Sequence, residues 1–232
     1  MDSAVLKSLL MAGVEWELAD ATSQFRVQSS EFRVRDSAGF ETRIDKSAQV
    51  QRVLSNDEIL AEGTRLAAEE DILAAIQKFD SHPLYHSAKN TVLPHLGGAR
   101  LCVVTDMPSL ADDASGEILS GAEGELFDKM LAAIGLSRAD ISIVPLIFWR
   151  PAGGRTPTDE ELAATRPFID RMISGAPKIL TLGKLAAEKI CGAKLPGDHG
   201  KVFGNVIVTY KPDFIAANPS VKAAVFEALK LI

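Results

Sequence analysis

The chain has 232 residues, 25 basic and 31 acidic, for a net charge of −6, and 47% of it is apolar. That apolar share supports a real core and excludes global disorder, while no apolar run reaches the ~18 residues of a membrane span. Two cysteines, Cys102 and Cys191, cannot alone hold a four-thiolate zinc site or a cubane iron–sulfur cluster, and their scarcity points to a reducing cytoplasm instead of a disulfide scaffold.

The N-terminus lacks a basic region and a small-residue cleavage site, so no signal peptide is expected. Residues 4–22 read as a helix, with apolar spacing through Leu6, Leu9, Leu10 and Val14. Residues 23–56 lack sustained periodicity and read as a linker, so residues 1–56 are expected to stand apart from a domain over 57–232. Residues 1–80 hold nine basic and fifteen acidic side chains, while the rest of the chain balances. Charge alone therefore does not mark a nucleic-acid binder. Asn56 and Asp57 can cap a helix running to about Phe79.

Strand and helix then alternate. Strands are expected at 100–104, 141–148, 178–182 and 206–210, the second weakened at Pro145, which cannot donate to a ladder. Helices are expected at 124–135, 159–173, from Gly183 to about Ile190, and at 219–231. This alternation predicts a roughly four-stranded, mainly parallel sheet with helices on both faces. Such sheets bind ligands beyond the carboxyl ends of their strands, which selects segments 105–121, 145–157, 183–185 and 210–214.

Those segments carry a string of motifs in register: NTV at 90–92, ARLCVV, DMPSLADDASGEILSGAEGELFDKMLAAIGLSR, WRPAGGRTPTDEEL, RPFIDR, PKILTLGKLAAEKI and TYKPDF. From Phe79 to the C-terminus the chain resembles the iron–sulfur (family 4) branch of the uracil-DNA glycosylase superfamily. The resemblance implies a three-layer α/β/α fold and removal of uracil from DNA, the first step of base excision repair. It places the catalytic acid at Asp106, with Met107 and Pro108 beside it in the base pocket. The aromatic stacking position becomes Leu119, the asparagine that reads the uracil edge becomes Pro145, and the histidine of the C-terminal motif becomes Lys211. The cluster-ligand positions fall on His82, Tyr85, Trp149 and Thr165, none a cysteine, so no cofactor is expected.

Glycosidic cleavage needs an extruded base held in a pocket, a partner for the leaving anion, and a carboxylate for the water or the cationic sugar. Asp106 fits the last role, against an ordinary turn aspartate. Lys211 can offset charge on the leaving base, attack the sugar as a nucleophile, contact phosphate, or be a plain surface lysine. Arg150 and Arg155, with Lys184 and the amides after Gly183, are candidate DNA contacts. Asp112 and Asp113 read as solvated loop charges, and His82, His86 and His95 as surface histidines, against a zinc site. Cys102 reads as a buried thiol, and Trp149 as filler for the space of a missing cluster. Two functions follow: a cytoplasmic, monomeric DNA glycosylase with altered or weak activity, or an inactive member that binds nucleic acid or protein. A third role, protein interaction through the acidic N-terminal third, is also open. DNA is the expected partner, without a membrane or a metal.

Overall fold

A computed structural model describes residues 54–232 and, before them, four three-residue strands. The chain divides into two units, Met1–Leu54 and Ser55–Ile232. In the first unit, β1 (Glu17–Ala19) pairs antiparallel with β2 (Gln24–Arg26), and β3 (Arg33–Arg35) with β4 (Glu41–Arg43). Residues 17–19 thus form a strand within the span expected to be helical; the rest of that span lies outside the described residues. The expected linker likewise contains three strands, at segments where Phe25 and Val34 favour extended backbone.

The second unit opens with α1 (Asn56–Ala67) and α2 (Ile72–Lys78). The helix expected to continue to Phe79 is broken here. Ser55, not Asn56, caps α1 in a capping box with Glu58, and Asp71 caps a new helix by accepting from Leu73 and Ala74 N–H. Then follow β5 (His95–Leu96), β6 (Leu101–Thr105), α3 (Leu110–Ser115), α4 (Gly121–Ala132), β7 (Ile141–Pro145), α5 (Asp159–Ile173), β8 (Ile179–Leu182), α6 (Lys184–Cys191), β9 (Val202–Phe203), β10 (Val206–Thr209), α7 (Pro212–Ala217) and α8 (Lys222–Leu229). Two of these helices occupy expected loops. Ser109 and Asp112 form a capping box that starts α3, and Pro212 sits in the first turn of α7, where its missing N–H costs nothing.

The sheet has six strands in the order β5-β7-β6-β8-β10-β9. The inner four are parallel, as expected; the two-residue edge strands pair antiparallel and raise the count from four. Alternate side chains serve two layers. Leu101, Val103, Ile141, Ile143, Leu180 and Ile207 pack with α4, α7 and α8 on one face. Val208 meets Ala187 of α6 on the other face, where α5 and α6 cover the strands and α1 packs on α5. The result is the three-layer α/β/α arrangement. Cys102 lies in this core, and burial pushes its thiol up to about 12. No helix among the described residues is long and apolar enough to cross a membrane.

Chain direction puts the ends of β6, β7, β8 and β10 together. From β6 the chain passes to β7 on one side, then returns to β8 on the other. That reversal opens a crevice between the β6 and β8 loops, the switch point where such sheets take ligands.

Candidate active site

Asp106 follows β6 at the switch point. Helix α6 has no side-chain cap of its own at Gly183. Asp106 supplies the missing acceptor from across the sheet: its Oδ1 takes the Ala186 N–H at 2.6 Å, with the Leu185 amide also contributing. Gly183 makes this approach possible. Its φ is +113°, and a Cβ there would overlap the Asp106 carboxylate. The carboxylate is therefore no ordinary turn residue. Burial raises its pKa, while the Ala186 amide and the Lys211 charge pull it down and Asp213 pushes it up.

Lys211 follows β10 and precedes α7. Its Nζ lies 3.3 Å from Glu123 Oε1 in the first turn of α4, with the side chains 14% and 11% exposed. Glu123 Oε1 is buried and has no well-aligned hydrogen-bond donor, so the facing ammonium is its electrostatic complement. Burial raises the Glu123 pKa against the downward pull of Lys211, and Asp213 and Asp112 add to the rise.

A cleft of about 630 Å³ brings Asp106, Gly183, Lys184 and Lys211 together with Tyr210 and Phe214. A second cleft of about 280 Å³ shares Asp106 and Lys184 and adds Met107, Thr156 and Pro157. The other expected residues stand elsewhere. Leu119 is 1% exposed and packs in the core at φ +48°, and Pro145 is buried at the end of β7 beside Thr105. Arg150 Nη1 donates to the Pro108 carbonyl at 2.7 Å, tying two loops together. Arg155 is committed to a two-pronged pairing with Glu161, at 2.8 and 2.5 Å. That pairing, first among several causes, holds the Glu161 carboxyl below its ordinary range.

Two further expectations need correction. Asp112 is 2% exposed, not solvated; it accepts from Ser109 N–H, Ser120 N–H and the Ser120 hydroxyl. Asp113 accepts from Lys89 and Asn90 N–H, joining the NTV segment to α3. Both order the loop that holds Asp106. His82 is buried, stacked on Trp149 at 4.6 Å. Its Nδ1 accepts from Leu84 N–H, so its Nε2 donates to the Glu161 carbonyl, and burial lowers its pKa. Trp149 is fully buried, donates to Thr91 Oγ1, and is also flanked by Phe79, Tyr85 and Phe148. Thr165 donates to the Leu146 carbonyl. The four positions that the resemblance links to an iron–sulfur cluster thus do not fit one. None offers a thiolate, and the polar atoms of His82, Trp149 and Thr165 are engaged with backbone or with Thr91. Among the described residues no group of three or more His, Cys, Asp or Glu is placed to hold a metal.

Three residues belong to the site although the motifs that contain them assign them no role: Glu123, Tyr210 and Phe214. Tyr210 and Phe214 flank Lys211 within a segment the strand-end rule selects, whereas Glu123 lies on a helix outside every such segment.

A doubly covered, mainly parallel sheet with a carboxylate and an ammonium lining one cleft at its strand ends defines a three-layer α/β domain. The chain belongs to the uracil DNA glycosylase superfamily, whose family model matches residues 94–230. It is 28% identical over 165 residues to the type-4 uracil-DNA glycosylase of Pyrobaculum aerophilum, spanning 63% of this chain and 84% of the relative. It is 28% identical over 168 residues to that of Thermotoga maritima, spanning 68% and 88%. Against that of Archaeoglobus fulgidus it is 34% identical over 109 residues, spanning 45% and 55%.

Proposed function

We propose that this chain is a DNA glycosylase that hydrolyses the N-glycosidic bond of a deaminated or damaged base, with a pocket rebuilt relative to the type-4 enzymes. The observation that carries the reading is the convergence of Asp106 and Lys211 on one strand-end cleft in a superfamily fold. In the reaction the C1′–N bond breaks and its electron pair leaves with the base. Water adds to C1′ and gives up a proton. Asp106 stabilises the cationic sugar and accepts that proton, its orientation fixed by the Ala186 amide. The Lys211 ammonium offsets charge on the departing base. Lys211 is paired with Glu123 Oε1 at 3.3 Å, and we assign it this electrostatic role instead of that of a nucleophile. DNA is engaged by a cytoplasmic monomer, with Lys184 and Arg150 as the side chains offered to the strand; the Leu185 and Ala186 amides are taken by Asp106.

Labelled single-stranded oligonucleotides carrying uracil, hypoxanthine or xanthine test this. The expected result is alkali-dependent cleavage that Asp106→Asn abolishes and Lys211→Ala weakens, with no borohydride-trapped adduct. No cleavage by folded protein in excess overturns it. One observation favours a second reading, a binding module without base release: Leu119 packs in the core and Pro145 is buried at the end of β7, and neither lines the cleft. Salt-dependent DNA binding with every base left intact would establish that reading.

A further inference from the structure

With Leu119 withdrawn into the core, an extruded base has no aromatic partner at the position the motifs assign. The larger cleft contains another. Tyr210 stacks on His199 with ring centroids 4.3 Å apart and planes 13° apart, and it meets Phe214 at 4.7 Å and 31°. Both Tyr210 and Phe214 line the cleft that holds Asp106 and Lys211. Phe214 is 42% exposed, an aromatic ring left open where a ligand would sit. The stack is anchored from behind: His199 Nε2 lies 3.2 Å from Thr209 Oγ1, and burial lowers the His199 pKa, favouring a neutral ring.

We propose that Phe214, backed by the His199–Tyr210 stack, is a stacking platform for a purine base of single-stranded DNA. Three features select this occupant. The open ring lies in a cleft where Lys184 and Lys211 are balanced by Asp106 and Asp213, which suits an uncharged flat base more than bare phosphate. The cleft, about 630 Å³, lies within the range that holds a ligand of nucleotide size. Pro145 has no side-chain donor or acceptor with which to read a base edge, so preference falls to stacking area, which is larger for a purine than for a pyrimidine. The inference rests on the DNA reading above but not on base release.

The test is equilibrium binding of the full chain to a single strand carrying 2-aminopurine, whose emission is quenched on stacking. Wild-type protein is expected to quench it. Phe214→Leu, at an exposed position that leaves folding intact, is expected to abolish quenching and weaken binding roughly 5- to 150-fold. Tyr210→Leu, checked for folding by circular dichroism, should act in the same direction. The same strand with an abasic site should bind wild type and Phe214→Leu alike, and a strand with fluorescent pyrrolocytosine should bind wild type more weakly than the purine probe. Unchanged affinity and quenching in Phe214→Leu, or equal binding of the two probes, overturns the proposal. Intact stacking without base release would overturn the glycosylase reading alone.

Discussion

Lys211 and Glu123 offer a quantitative test of how the site is held. Their side chains are 14% and 11% exposed and their charged atoms lie 3.3 Å apart. Removing one member of a buried pair typically costs about 3–5 kcal/mol, because the other charge is stranded. Here residual solvent contact and the capacity of Glu123 to take up a proton lower the expected cost of Lys211→Met to about 2 kcal/mol. Glu123→Gln should cost about 1 kcal/mol, since Asp106 and Asp213 still act on the ammonium. The double variant strands neither charge and should fall within about 0.5 kcal/mol of wild type, a coupling of roughly 3 kcal/mol in a double-mutant cycle by urea unfolding. The pH dependence has a definite sign. Burial holds the folded pKa of Glu123 above its unfolded value, so its ionisation opposes folding. Stability tied to such a group is full below the unfolded pKa, about 4.3, and is lost as pH rises through the folded one. Without Lys211 that loss grows, so the penalty of Lys211→Met should shrink from about pH 8 to about pH 4.5, and Glu123→Gln should erase the trend. Additive single effects, or a penalty indifferent to pH, would refute the pairing.

Asp106→Asn should abolish base release without lowering thermal stability at about pH 8. The Asp106 carboxyl is also raised by burial, so it opposes folding when ionised, and the advantage of the variant should fade toward about pH 4 in thermal melts. Arg155→Ala should lower stability only slightly, because Arg155 is 47% exposed, and should leave the salt dependence of DNA binding unchanged. Lys184→Ala should do the reverse, lowering the slope of log affinity against log salt by about 1 with little effect on stability. Trp149→Ala should cost about 3–5 kcal/mol in urea unfolding, the penalty for emptying a fully buried aromatic site.

The inner strands were legible because each is a short apolar run between turn residues, and α5 spans 159–173 as expected. The elements that escape are those whose signal is local capping or short length. Asp112 looks like loop polarity until its acceptors are seen to start α3, and Pro212 looks like a breaker although it begins α7. The edge strands have two residues each, too few for any periodicity. For the site, the strand-end rule reaches Asp106, Gly183, Lys184 and Lys211 because it depends only on where strands stop. It does not say which way a side chain turns. Leu119 holds its motif position yet packs in the core, and Arg155 finds Glu161 six residues on. Glu123 and the His199–Tyr210 stack depend on packing between separate elements, which no local pattern records.

The charges of the cleft decide where binding energy must come from. Along its wall Asp106 and Asp213 face Lys184 and Lys211, and Glu123 stands behind Lys211. Those groups nearly cancel, and the chain as a whole carries −6. Phosphate neutralisation, which supplies much of the affinity of strongly basic DNA binders, has few free cations to work with here. Arg155 is held by Glu161, and Arg150 spends one donor on the Pro108 carbonyl. On the proposed reading, a site with so little electrostatic pull would hold a strand through what enters the cleft instead of what passes over it. Base stacking is sequence-tolerant, and the open ring of Phe214 is the surface that would provide it. The same near-neutrality suits the chemistry: a carboxylate for the cationic sugar and an ammonium for the anionic base keep their separate fields only if no excess of either sign swamps the other.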